Sequence, residues 1–291
     1  MPEVRTQRGV ALISVLLITA LVTLIVSDML ARQRLAVASS ANQLAHRQLW
    51  QLALSGEAWA RQQLLADLRE ADSLKRVHLA QRWAQGPQAF DIEGGHIRIQ
   101  LEDLSGRFDL NTQRPGGDRT QRARYQRLLA HLELPAHDPA SLPVRFANDG
   151  KPLPFADSSE LMRLEPLDAA GLRRLQPWLR TTEGALNLNT APAEVLAALE
   201  GLDPGVARAI VQARPAEGYE SVQAFIEQPL LQDRQVRSLG LGVTSEYFRA
   251  TLDVELGGRR LRLISDLHTS LEGRVSVLRR ILAAPVPTIP E

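Results

Sequence analysis

The sequence predicts an α+β protein. It has one long N-terminal helix, first membrane-spanning and then amphipathic, packed on an antiparallel sheet into which a large helical domain is inserted. Three observations predict this. An uncharged apolar run near the start passes, without a proline, into a polar pattern of three- and four-residue spacing. Two stretches, 88–111 and 241–284, alternate apolar and polar side chains with period two. Between them, residues 112–240 return to helical spacing broken by proline-rich loops.

Composition sets the outer limits. The chain has 291 residues and a formal net charge of +1, which exerts no global pull toward nucleic acid or anionic lipid. Hydrophobic residues make up 44%, enough for a folded core. With 0 cysteines, neither a disulfide framework nor a thiolate metal site can form.

Residues 1–9 form a short leader in which Arg5 and Arg8 precede Gly9. From Gly9 to Ser27 no side chain is charged, a run of about 19 residues against the roughly 17–25 that cross a bilayer. Residues 10–30 are therefore read as transmembrane, with Thr19 and Thr23 able to bond back to helix carbonyls. The positive flank places the N-terminus in the cytoplasm and the bulk of the chain outside. A cleaved secretory signal ending near Ala36-Val37-Ala38 is the weaker alternative, because Asp28, Arg32 and Arg34 interrupt the approach to it.

The helical pattern is expected to continue over 10–87. Between Val10 and Pro87 there is no proline, and Gly56 is the only interior glycine before Gly86. Leu35, Ala38, Ala41, Ala45, Leu49, Leu52, Gly56, Trp59 and Ala60 form a narrow apolar stripe. Leu52, Trp59 and Leu64 are expected to pack on the protein's own sheet, and Gly86-Pro87 to end the helix.

A basic leader, Gly9 directly before an apolar helix and an unbroken amphipathic extension resemble the class III signal of type IV pilins and pseudopilins. The resemblance implies cleavage after Gly9 by a prepilin peptidase and N-methylation of Val10. Most pilins carry a glutamate as the fifth residue after the cut, and here that position is Ser14. An intramembrane carboxylate is costly unless paired, and in pilins it is thought to pair with a neighbour's N-terminal amine during assembly. A subunit at a fibre tip has no neighbour above it and can dispense with that group, so Ser14 points to a cap position.

Phe90 to Glu93, a Gly94-Gly95 turn and Ile97 to Leu101 read as a β-hairpin. Within 112–240, Tyr125, Leu128, Leu129 and Leu132 have helical spacing, and Ser158-Ser159-Glu160 reads as a capped helix start. Thr190 is expected to cap another helix with Pro192 in its first turn. Leu199 to Val211 has the shape of a helix-hairpin-helix turn, whose amides often face nucleic-acid phosphates. The charges oppose that use. Six acids (Glu194, Glu200, Asp203, Glu217, Glu220, Glu227) stand against Arg208 and Arg214 between 186 and 227. No nucleic-acid partner is expected.

Period two returns in Tyr247 to Leu256, Arg259 to Ser265 and Val275 to Leu282. The prolines of 285–291 mark a tail. The leader at Gly9, Ser14, the inserted domain and Asn187-Leu188-Asn189-Thr190-Ala191-Pro192 together resemble minor pseudopilin K of type II secretion systems. That likeness covers nearly the whole mature chain.

The resemblance implies a pilin-like sheet and a structural subunit held in the inner membrane with a periplasmic head. It also implies assembly with minor pseudopilins I and J at the pseudopilus tip, which serves export of folded proteins. The alternative is a membrane-anchored DNA-binding protein of an uptake system. No Walker loop, GxSxG elbow or HExxH occurs, the six histidines are scattered, and no enzyme activity is expected. The family further implies calcium in the head. Asp253, Glu255, Asp266 and Glu272 are candidates by residue type alone, and no ligand set is carried over.

Overall fold

A computed structural model describes residues 7–69, 76–270 and 273–285, with the side chains of residues 7–11 and 68 outside the description. In chain order the main elements begin with α1 (Gln7–Leu68), β1 (Gln88–Ile92), β2 (Gly95–Asp103), β3 (Phe108–Asp109) and α2 (Arg119–His131). Next come α3 (Ala169–Leu175), β4 (Leu179–Arg180), β5 (Leu186–Asn187), α4 (Ala193–Leu196), α5 (Pro204–Ala213), α6 (Val222–Ile226) and β6 (Leu241–Gly242). The last three are β7 (Tyr247–Leu256), β8 (Arg259–Ser270) and β9 (Arg274–Ala283).

The chain divides into two units, residues 1–52 and 53–291. In the first, α1 is apolar and long enough to cross a membrane. Leu12, Ile13, Leu17 and Leu24 are exposed along it. Thr19 Oγ1 donates to Val15 O at 2.9 Å and Thr23 Oγ1 to Thr19 O at 2.7 Å, so neither hydroxyl is left for lipid to solvate. The ion pair Arg32–Asp28, at 2.9 Å, lies one turn past the apolar run.

In the second unit five strands form one antiparallel sheet in the order β1-β2-β7-β8-β9. The hairpin and the three C-terminal strands expected from the alternation are all present. Their period sorts the faces. Ile97, Ile99, Phe248, Ala250, Leu252, Val254, Leu261 and Leu263 are buried. The opposite face carries ion pairs across neighbouring strands, such as Arg262–Asp253 at 2.6 Å and Arg249–Asp266 at 2.7 Å.

The stretch of α1 from Ala53 onward covers the apolar face. Ala53 and Ala60 are fully buried, as is Leu64, and Trp59 meets Phe90 edge-on with ring centroids 5.2 Å apart. Gly56 is small for a steric reason. A Cβ there would lie 2.7 Å from Leu252 Cδ2 and 3.3 Å from Ile99 Cδ1. Beside it Glu57, also buried, accepts from Arg280 Nε at 2.7 Å and from Ser265 Oγ at 2.6 Å. Burial pushes the Glu57 carboxyl up, but hydrogen bonds from Arg280 and Ser265 outweigh it and hold the group below its ordinary range.

One expectation about α1 is corrected. The helix ends at Leu68, well before Gly86-Pro87. Trp83 packs against Phe248 at 5.2 Å and donates its backbone N–H to Asp67 Oδ2 at 3.0 Å, while Val77 N donates to Val243 O at 2.9 Å. These contacts require the chain to turn back on itself, and they outweigh local helix preference. Gly86, at φ +85°, instead follows a single 3-10 turn, Arg82–Ala84.

The sheet is left at Asp103 and regained at Tyr247. The intervening chain holds helices α2 to α6 around its own core, which includes Leu128, Leu161, Leu175, Leu188, Leu196 and Phe225. Two short parallel pairs, β3–β4 and β5–β6, tie it together and were not expected from the sequence. The turn at Ser158–Arg163 is 3-10 rather than α, and its cap is Asp157, closed into a capping box by Glu160.

Replacing Gly56 by valine is expected to lower unfolding free energy by about 2 kcal/mol, the usual cost of forcing methyl groups into a packed interface. Chemical denaturation of the full-length protein in detergent measures it, and wild-type stability would show that the helix need not approach this closely.

Candidate functional site

Three places bear on function: the start of α1, the junction between sheet and insertion, and the hairpin between α4 and α5. Gly9 and Val10 fall within α1, outside the residues whose side chains are described. Ser14 also lies in α1 and is exposed.

The junction is built on Asp103, the last residue of β2, which is 5% exposed. Its Oδ2 accepts from Thr190 Oγ1 at 2.5 Å, from Ser245 Oγ at 2.6 Å and from Asn187 Nδ2 at 3.1 Å, while Oδ1 accepts from Ser105 N at 2.7 Å. No arginine or lysine hydrogen-bonds to it among the described residues. Burial pushes the Asp103 carboxyl up, against the pull of Ser245, Thr190, Ser105 and Asn187. Asn187 Nδ2 also donates to Val77 O at 3.0 Å, so the chain returning from α1 reaches the same point. Asn189 works inward: its Oδ1 accepts from Tyr219 N at 2.6 Å and its Nδ2 donates to Tyr219 O at 3.2 Å.

This corrects the part expected of Thr190. Its hydroxyl is committed to Asp103, and Pro192 occupies the cap position of α4 without a side-chain bond. Asp103 and Ser245 are the partners that sequence reasoning missed. The only trace of Asp103 is its short-range bond to Ser105 N, a pattern common to many strand ends.

The hairpin between α4 and α5 does not offer free amides. Asp203 Oδ1 accepts from Gly205 N and Val206 N, both at 2.9 Å. The helix start that would have to face a phosphate is already capped by a carboxylate, whose charge repels phosphate. Ala207 and Ile210 of α5 are fully buried, so the hairpin packs within the insertion.

The carboxylates proposed by type for calcium do not come together. Asp253 is held by Arg262 at 2.6 Å and Glu255 by Arg260 at 2.7 Å. Asp266 sits between Arg249 and Arg279, both at 2.7 Å. Each is already neutralised by a guanidinium. No group of three acidic or histidine side chains suited to a metal occurs among the described residues. These three carboxylates do not fit a calcium site, and Glu272 lies outside the described residues.

Comparison with known proteins decides the family. The chain is 35% identical to Type II secretion system protein K of Pseudomonas aeruginosa, over 98% of its own length and 96% of that protein's. The chain belongs to the type II secretion system protein K family. A protein of the same description from Klebsiella pneumoniae is 33% identical, over 87% of this chain and 90% of its own length. The family model for type II secretion system (T2SS) protein K matches residues 186–244.

A crystal structure of the GspK-GspI-GspJ complex from the enterotoxigenic Escherichia coli type 2 secretion system aligns with TM-score 0.70 and 26% identity. The match covers 84% of this chain and 99% of that one. The α+β fold is thus shared with a K-family protein. Membership makes the chain a type II secretion pseudopilin, and α1 fits an inner-membrane anchor. The segment matched by the protein K model starts one residue before Asn187 and runs almost to Ser245, so it spans the insertion's side of the Asp103 junction.

Truncating Asp103 to alanine would leave Asn187, Thr190 and Ser245 without their shared acceptor. The expected loss is about 3 kcal/mol. Hydrogen exchange should rise at 186–191 and 243–246 before it rises in β7 and β8. Uniform protection across these segments would show that the junction contributes nothing to holding the insertion.

Proposed function

We propose that this chain is the tip subunit of the type II secretion pseudopilus, where it starts or caps assembly for the export of folded periplasmic proteins. The observation that carries this reading is Ser14. It stands fifth after Gly9, where most pilins have the glutamate thought to meet a neighbour's N-terminal amine. Every other residue from Gly9 to Ser27 is uncharged as well, so no nearby carboxylate replaces it. A subunit lacking that group can be joined from below but has nothing to offer a subunit above.

In this reading a prepilin peptidase cuts after Gly9 and the new amine of Val10 is methylated. The α1 helix stays in the inner membrane with its N-terminus toward the cytoplasm, as Arg5 and Arg8 favour, and the head lies in the periplasm. The partners are minor pseudopilins I and J. The likeness to the K subunit crystallised with GspI and GspJ supports them. The inserted domain adds a steric reason for the same position, because its bulk at one end of the sheet obstructs further addition. The role is structural, with no bond made or broken by this chain.

Mass spectrometry of the protein from cells is expected to find N-methylated Val10 as the first residue. Gly9→Val should block processing and abolish secretion. Retained residues 1–9 in a strain that secretes normally would contradict the reading.

A further inference from the structure

The two edges of the five-stranded sheet differ in how they are guarded. β9 closes one side and is blunted in several ways. Its pairing with β8 slips between Asp266 and Leu267, which leaves Leu278 as an extra residue that breaks the ladder. Arg274, Arg279 and Arg280 lie along it, and Arg61 Nη2 of α1 already donates to Val275 O at 2.9 Å. Bulges and cations are common means of keeping another strand off an edge.

β1 closes the other side and has neither device. Gln88-Ala89-Phe90-Asp91-Ile92 includes no lysine, arginine or proline, and pairs with β2 without a slip. Among the described residues no strand lies along its outer edge, so alternate N–H and C=O groups point away from the sheet.

The side chains of this edge set what it can accept. On the α1 side Phe90 remains 39% exposed, although its ring meets half-buried Trp59. On the other side Asp91 is exposed and has no ion pair among the described residues, and neither has Glu93 in the turn that follows. Elsewhere on the sheet Glu102, Asp253, Glu255 and Asp266 each meet an arginine. The unmatched charge thus lies at the unguarded edge.

We infer that β1 is the docking edge for one strand of a neighbouring minor pseudopilin, added to the sheet at the usual spacing of about 4.8 Å. The incoming strand carries an apolar side chain over Phe90 and a lysine or arginine facing Asp91. It supplies partners for the outward backbone groups, covers the aromatic pair and neutralises the carboxylate. This rests on the reading of pseudopilins I and J as partners.

Hydrogen exchange of the full-length chain in detergent, alone and with purified pseudopilins I and J, tests it. In the complex, amides within 88–92 should slow about tenfold or more, while those of β8, inside the sheet, keep their rates. Asp91→Lys should leave the circular dichroism unchanged and weaken the complex about tenfold in a fluorescence titration, because a cation would then face a cation. A complex in which 88–92 exchange as in the free chain would overturn the inference and leave the partner reading intact. Parent-like affinity of Asp91→Lys would overturn it too. Slow exchange at 88–92 in the free chain, or slowing as that chain alone is concentrated, would assign the edge to another part of the chain or to a second copy, and so overturn it. If the parent forms no complex, the partner reading fails and the inference with it.

Discussion

One buried carboxylate joins three separate stretches of this chain. Asp103 ends the second strand of the sheet, and its oxygens hold Asn187 and Thr190 of the insertion together with Ser245 on the way back to the sheet. Asn187 extends the same group to Val77, on the chain returning from α1. A carboxylate without a hydrogen-bonded cation is expensive to bury, and several donors arranged around it offset that cost. The insertion is therefore fastened to the end of the sheet by hydrogen bonds in fixed directions, in addition to apolar contact, which alone would leave its orientation loose. That direction matters for a domain whose proposed part is to obstruct addition of another subunit.

The insertion can be carried there because it folds around its own core. Asn189 clamps Tyr219, and Arg124, 2% exposed, donates to Glu200 at 2.9 Å and to the carbonyls of Leu239 and Arg237 at 2.6 and 2.7 Å. These bonds draw the helices and the returning chain into one body. The sheet, in turn, depends on α1 offering it small residues. With Gly56 over Leu252 and Ile99, helix and sheet approach closely enough to exclude water between them.

Much of this was legible in the sequence, and the limits have physical causes. Period-two alternation located the hairpin and the three late strands because one face of the sheet is apolar and the other charged. The missing proline and the lone Gly56 located α1. Its end is not marked there, because local preference favours helix through 69–85, whereas Trp83 on Phe248 and Val77 on Val243 are long-range gains without a local trace. The bond from Thr190 to Asp103 has no local trace for a similar reason, since a hydroxyl ahead of a helix usually caps it and nothing nearby announces Asp103. Of the several arginines in α2, none is marked in sequence as the one that is buried. The two Asn residues at 187 and 189 did stand out, though as a family resemblance; what they hold together emerged only from the fold. The acids of β7 and β8 carried the right chemistry for calcium, yet their cross-strand partners are arginines.

The tip position is tested most directly by finding where the insertion lies on assembled pseudopili. A gold-conjugated antibody to residues 112–240, applied to sheared fibres and viewed by electron microscopy, should mark one end of each fibre and leave the shaft bare. Label distributed along the shaft would contradict the account.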